Sequence, residues 1–269
     1  MGIVVGAKTD VGLKRSHNED NLCVDSDLGL YVVCDGMGGR NAGEVASRLA
    51  VETILKHFQA TRDNADLPLV GDYDRQFSAK TNRLASAIRL ANQAIRMEAK
   101  DQTEQEGMGT TVVSAALTGP ILSIAHVGDS RMYLIRGESI SPLTADHSLV
   151  AEQVRRGMMT EEEAERSPQK NIITRALGVD ETVDVEMDEI PLMQGDWVLL
   201  CSDGLTRGVT PVEIRDAVHQ AKEPQAASDR LVELANAAGG LDNTTVVLVG
   251  IQGVAGQGPW QRVWKWLLN

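Results

Sequence analysis

Five acidic patches, each at the edge of a short apolar run, hold most of the chemistry this chain could perform. They read Asn18-Glu19-Asp20, Asp35-Gly36-Met37-Gly38-Gly39, Gly128-Asp129-Ser130-Arg131, Ser202-Asp203-Gly204 and Asp242-Asn243. Carboxylates at strand ends are hard oxygen ligands, and glycines beside them let backbone carbonyls come close to an ion. Such a set suits Mg²⁺ or Mn²⁺ better than zinc. The patches run from Glu19 to Asp242, so the fold has to gather them and nearly the whole chain is expected to form one catalytic unit.

The elements that do the gathering are legible as runs and periods. Residues 3–7, 30–34, 111–117, 122–127, 131–135, 197–201 and 245–251 are rich in Val, Ile and Leu and bounded by turn formers, which predicts strands. Thr118-Gly119-Pro120 predicts a hairpin turn between two of them. Helices are predicted over 42–58, where Val45, Ala46, Leu49, Ile54 and Phe58 share a face, and over 81–100, where Leu84, Ile88, Ala91 and Ile95 do. Two more are predicted over 212–221, opened by Thr210-Pro211, and over 225–238. Consecutive strands set apart from the helices imply antiparallel sheets. The expected fold is α+β: a four-layer sandwich of two antiparallel sheets flanked by helices, spanning residues 1–252. The polar stretch 60–80 reads as loop. Residues 145–178 read as a charged, mostly helical insert in which Thr160 and Glu163 fit a capping box. An insert so placed is expected to be a substrate-facing flap.

Composition narrows the classes. The chain has 269 residues and a net charge of −12, which argues against a nucleic-acid partner, because phosphate-backbone binding needs a basic face. Cys23, Cys34 and Cys201 have no CxxC spacing and read as small buried hydrophobes in a reducing compartment. No long apolar stretch and no signal-peptide core is present, so a cytoplasmic protein is expected.

In order along the chain stand Arg15…Glu19-Asp20, Asp35-Gly36-Met37-Gly38-Gly39, Gly109-Thr110-Thr111, Gly128-Asp129-Ser130-Arg131, Asp146-His147-Ser148, Arg175-Ala176-Leu177-Gly178, Ser202-Asp203-Gly204 and Asp242-Asn243-Thr244-Thr245. Each alone is weak; together, in this order, they resemble the metal-dependent protein phosphatases (the PP2C or PPM family) in compact bacterial form, over residues 3–251. The resemblance implies a Ser/Thr phosphoprotein phosphatase with two Mn²⁺ or Mg²⁺ ions about 3.5–4 Å apart, a bridging hydroxide that attacks phosphorus in line, and no covalent intermediate. It implies that Asp35 bridges the ions, that the Gly36 carbonyl binds one of them, and that Asp203 and Asp242 hold the other. Glu19 and Asp20 would serve the second ion, directly or through its waters, and both options stay open. Asp129 with Asp203 would support a third, weaker ion, and Arg15 would bind the substrate phosphate. A Ser/Thr kinase and its targets are the implied partners.

The chain departs from the family pattern at several points. Arg40 and Asn41 follow the DGMGG run where many bacterial members have His. Met37 stands where eukaryotic members carry a His proposed as general acid, and Ser167 stands for a flap His. A Gly-rich linker begins at residue 253, and Trp260, Val263, Trp264, Leu267 and Leu268 of the tail share one helical face. That face could pack on the domain or dock to a partner or a membrane surface. Three rivals share the core. A binding module without turnover would have lost one of Asp35, Asp203 and Asp242, and all three are present. Phosphatases for a dedicated regulator usually carry a sensor domain and lack a long flap. A preference for small phosphoesters or phosphotyrosine would be set by flap chemistry and stays open.

Overall fold

A computed structural model describes residues 2–38, 42–64, 66–101 and 107–253. One sheet runs β1 (Gly2–Asp10), β12 (Thr244–Gln252), β11 (Trp197–Cys201), β8 (Arg131–Arg136) and β9 (Ser139–Pro142), every pair antiparallel. The other runs β10 (Glu186–Pro191), β7 (Ile121–Val127), β6 (Val112–Thr118), β3 (Leu30–Cys34) and β2 (Asn21–Asp25), again all antiparallel. Helices α1 (Ala42–Asp63) and α2 (Ala79–Asp101) cover the second sheet, and α6 (Pro211–Gln220) and α7 (Pro224–Ala237) cover the first. The four-layer sandwich expected from the sequence is the architecture observed.

Alternation along the strands builds three cores. On β12, Val247 and Val249 point between the sheets, where they meet Tyr31, Val113 and Ile124. Val246 and Leu248 point the other way, under Ile214, Leu231 and Val232 of the helices. With both faces covered, the strand reads as an unbroken apolar run. On the far side, Ile54, Leu84, Ile88 and Ile95 close over Leu30, Val32 and Ala116. Ile88 is fully buried, so truncating it to Ala should cost about 2–5 kcal/mol.

Within the two large sheets, three strands lack a clear sequence signature, and all three lie at an edge. β2, β9 and β10 are sheet edges, and β10 protects its open side with Glu186, Asp188 and Pro191, which break the apolar alternation. Helix α1 continues past the expected end at Phe58 to Asp63. The insert at 145–178 is not mostly helical: it holds two short helices, α3 (Leu149–Arg155) and α4 (Glu161–Arg166), in otherwise irregular backbone. The Thr160–Glu163 capping box does form. The tail from Trp260 and residues Gly39, Arg40 and Asn41 lie outside the described residues.

Antiparallel register places all the acidic patches at one end of the sandwich. Asn21 pairs with Cys34, so the chain before β2 and after β3 emerges together. Cys201 pairs with both Arg131 and Val246, which brings the chain before β8, after β11 and before β12 to the same place.

Candidate active site

The carboxylates converge where the strands end. Asp20 and Asp129 are buried, at 6% and 7% exposure, and Asp203 and Asp242 are nearly so. Asp20 stands just before β2 and is joined across the two sheets by Ser202, whose Oγ donates to Asp20 Oδ2 at 2.8 Å and accepts from the Thr245 N–H at 2.9 Å. Asp35 follows β3; its N–H donates to Thr111 Oγ1 at 3.1 Å and its carbonyl accepts from the Thr111 N–H at 2.9 Å. Thr111 Oγ1 also lies 2.7 Å from Ser130 Oγ, which ties the Asp35 turn to the Asp129 turn. Gly36 lies on the short β4 (Gly36–Met37), paired with β5 (Gly109–Thr110). A Cβ on Gly36 would meet the Gly43 carbonyl at 2.2 Å and the Glu19 carbonyl at 2.5 Å, so only glycine permits this backbone approach.

Two arginines face the cluster. Arg15 pairs with Asp242 through Nε at 2.8 Å and Nη2 at 2.9 Å, its side chain about half exposed. Arg207 closes α5 (Asp203–Thr206); its Nε donates to Asp203 Oδ2 at 2.9 Å and Nη1 reaches Asp242 Oδ2 at 3.3 Å. Asn243 stitches the loop that carries Arg15 and Glu19. Its Oδ1 accepts from the Glu19 N–H at 2.8 Å, while its Nδ2 donates to the carbonyls of Val11 and His17, each at 2.9 Å.

So many carboxylates in one place resist ionising. Burial, opposed by the Ser202 and Thr245 hydrogen bonds and reinforced by the charges of Asp203 and Asp242, pushes Asp20 up to about 7. Burial and the charge of Asp203 take Asp129 to about 7 as well. Asp35 is raised well above the carboxylate range by burial and then by four neighbouring aspartates. Burial also raises Asp203, against the pull of Arg207, and Glu19, against that of Arg15. Among the described residues, Asp20 Oδ1 and Asp203 Oδ1 are buried oxygens without a hydrogen-bond partner. Clustered acids with unpartnered inward oxygens are a donor set that a divalent cation satisfies and a neutral ligand does not.

Comparison with known proteins decides the family. The sequence profile of protein phosphatase 2C matches residues 14–237. The chain belongs to the protein phosphatase 2C family. Protein phosphatase PhpP of Streptococcus pneumoniae is 39% identical over 246 residues, covering 90% of this chain and 95% of its own. The serine/threonine phosphatase PstP/Ppp of Mycobacterium tuberculosis superposes with a TM-score of 0.82 at 35% identity, covering 93% of this chain and 99% of its own. A catalytic domain of PstP in complex with two manganese ions is similar at 35% identity and a TM-score of 0.76, over 93% of this chain and 99% of its own.

All the site residues read from the sequence of this phosphatase meet at this one end: Arg15, Glu19, Asp20, Asp35, Gly36, Asp129, Asp203 and Asp242. Arg207 was not foreseen, although its place four residues after Asp203, one helical turn on, is a usable signal. The role of Asn243 was also invisible, because its partners lie more than 220 positions away. The phosphatase insert is anchored beside the site. Arg131 grips Asp146 with Nε at 2.8 Å and Nη2 at 2.7 Å, and the His147 N–H donates to the Gly128 carbonyl at 3.0 Å.

A second cluster, His126, His147 and Glu186, has ligand atoms within 4.8 Å of one another. Its hydrogen bonds argue against a metal. His147 Nδ1 accepts from the Gly128 N–H at 3.0 Å, so its Nε2 carries the proton it gives to Glu186 at 3.0 Å. His126 stacks on it at 4.8 Å and donates to the Ala145 carbonyl, as a packed strand residue should. The pair staples insert to sheet. The three cysteines are free and buried, and burial pushes Cys23 to about 11 and Cys201 to about 12, so both are thiols. A cavity of about 500 Å³ lined by Tyr73, Arg75, Phe77, Arg89 and Asp184 shares no residue with the carboxylate site.

Proposed function

We propose that this enzyme hydrolyses phosphoserine and phosphothreonine in proteins, using Mn²⁺ or Mg²⁺ held by the strand-end carboxylates. The observation that carries the reading is the convergence of Asp20, Asp35, Asp129, Asp203 and Asp242, with two buried carboxylate oxygens that have no hydrogen-bond partner among the described residues. Asp35 would lie between two ions, with the Gly36 carbonyl on one side and Asp203 and Asp242 on the other. Glu19 and Asp20 would serve the second ion, directly or through its waters, and Asp129 with Asp203 would offer a weaker third position. When bound, such ions supply an acidified water as nucleophile and neutralise the phosphoryl oxygens.

The chain's own residues do the rest. Arg15, half exposed beside Asp242, can present its fork to two phosphate oxygens and orient the phosphoryl group. Asn243 fixes the loop that carries it, so the guanidinium approaches from one direction. Met37 cannot give up a proton, so the leaving group would take one from another donor, such as a metal-bound water. No cysteine serves as nucleophile, since the described thiols are buried away from substrate. The insert at 145–178, fastened by Asp146 and His147, would form one wall for the phosphopeptide. A kinase that modifies the same proteins is the expected counterpart, and the free cysteines suit a reducing compartment such as the cytoplasm. Among the described residues, no helix is long and apolar enough to cross a membrane.

The test is release of phosphate from phosphothreonine and phosphotyrosine peptides with Mn²⁺ and with EDTA. Mn²⁺-dependent release, faster from phosphothreonine and abolished in Asp203→Asn, is expected. Equal rates in EDTA, or an active Asp203→Asn, would overturn the metal assignment.

A further inference from the structure

We infer that Arg207 is a built-in counter-ion of Asp203 and Asp242, displaced when a cation enters, and that it thereby sets the metal affinity of that half of the site. The inference rests on the reading of these two aspartates as cation ligands. Arg207 is held one turn past Asp203 by its own backbone, whose N–H donates to the Asp203 carbonyl at 2.9 Å. From there the side chain folds back over the carboxylates. Nε lies 2.9 Å from Asp203 Oδ2, Nη2 binds the same oxygen, and Nη1 lies 3.3 Å from Asp242 Oδ2. One guanidinium thus bridges two aspartates from different strand ends. Only 28% of its side chain is exposed, so the pairing is sheltered from screening.

The backbone leaves these aspartates little room to relax apart. A Cβ on Gly204 would meet the Asn243 carbonyl at 2.0 Å, so the turn after Asp203 is pressed against the start of β12 beside Asp242. Their charges must therefore be neutralised in place. Arg15 approaches Asp242 as well, but its side chain is 51% exposed. A divalent cation between Asp203 and Asp242 can take the unpartnered Asp203 Oδ1, but on Asp242 it meets the Oδ2 that Arg207 shares with Arg15, and ion and guanidinium would repel at a few ångströms. Binding therefore costs the release of this guanidinium, and departure of the ion lets it close again. The enzyme would gain a metal-free state that stays folded, at the expense of affinity.

The experiment compares the wild type, Arg207→Gln and Arg207→Lys as full chains stripped with EDTA and dialysed. Mn²⁺ binding is followed by isothermal titration calorimetry and Tm is measured in EDTA. In Arg207→Gln the affinity for Mn²⁺ should rise about tenfold, roughly what one hydrogen bond to a charged group is worth, while Tm in EDTA falls. Arg207→Lys keeps the charge but cannot span both carboxylates, so it should bind Mn²⁺ more tightly than the wild type and less tightly than Arg207→Gln. If Arg207→Gln does not fold in EDTA, Arg207→Lys alone carries the comparison. Unchanged or weaker Mn²⁺ binding in the variants, with binding by the wild type intact, would overturn the inference alone. No Mn²⁺ binding by the wild type, or normal binding by Asp203→Asn, would overturn the metal reading beneath it as well.

Discussion

Replacing Asp20 by Asn should stabilise the protein in EDTA at neutral pH, and that gain should disappear on acidification. Asp20 is 6% exposed, and burial together with the nearby carboxylates raises it from 3.8 to about 7. A carboxyl whose folded value lies above its unfolded one destabilises the fold once ionised. Stability is then lost as pH rises from the unfolded value through the folded one. Between pH 5.5 and 7.5 a single such group changes stability by about 2 kcal/mol, obtained by integrating proton binding with a folded value of about 7. For a domain of this size that is roughly 4–8 °C in Tm. The amide keeps an acceptor for the Ser202 hydroxyl, so the difference reports the charge rather than a lost hydrogen bond. The buried, neutral histidines also titrate with pH, but identically in both proteins, and cancel. Thermal melts by circular dichroism, in EDTA at pH 5.5, 6.5 and 7.5, should show the Asp20→Asn variant gaining on the wild type with each step. Saturating Mn²⁺ at pH 7.5 should narrow or reverse the gap, because the ion compensates the ionised Asp20. A gap that stays flat across this range, or widens toward acid, would refute the claim that the cluster is held together against its own charge.

Gly36→Ala should cost about 3 kcal/mol in urea melts and remove most Mn²⁺-dependent turnover, because its Cβ would fall 2.2 Å from the Gly43 carbonyl. Wild-type stability would show that the backbone around Gly36 and Gly43 can yield. Arg15→Ala should lower kcat/KM for a phosphothreonine peptide by about 10–100-fold, mainly through KM, as loss of a charge-assisted contact to phosphate predicts. A loss confined to kcat would instead give this arginine a part in the chemical step.

The strands that bury both faces and the helices with one apolar stripe were legible in the sequence, since burial writes a period into them. So were the acidic turns, because hard-cation chemistry allows few residue types. The edge strands β9 and β10 were not, because their polar residues and prolines interrupt the apolar run, and β2 keeps only three apolar residues. Arg207 was missed for a different reason. Its spacing from Asp203 was visible, but an arginine on a helical turn can point outward as readily as back. Only the position of Asp242, brought alongside by the β11–β12 register, selects the inward pose. His126 and His147 are likewise 21 positions apart, and their stacking follows from the insert returning to Gly128.

What fixes the distances between the carboxylates is therefore backbone, assisted by a few small hydroxyls. Thr111 binds both the N–H and the carbonyl of Asp35 and reaches Ser130 beside Asp129, joining turns that belong to opposite sheets. Ser202 does the same between Asp20 and Thr245. Both residues are buried and uncharged, and neither could serve as a strong metal ligand or phosphate anchor. Yet each spans the seam between sheets, where the carboxylates would otherwise relieve their repulsion by moving apart. A charged cluster of this kind needs its supports to be short and neutral. A longer side chain would admit motion, and a charged one would take the place of the ion.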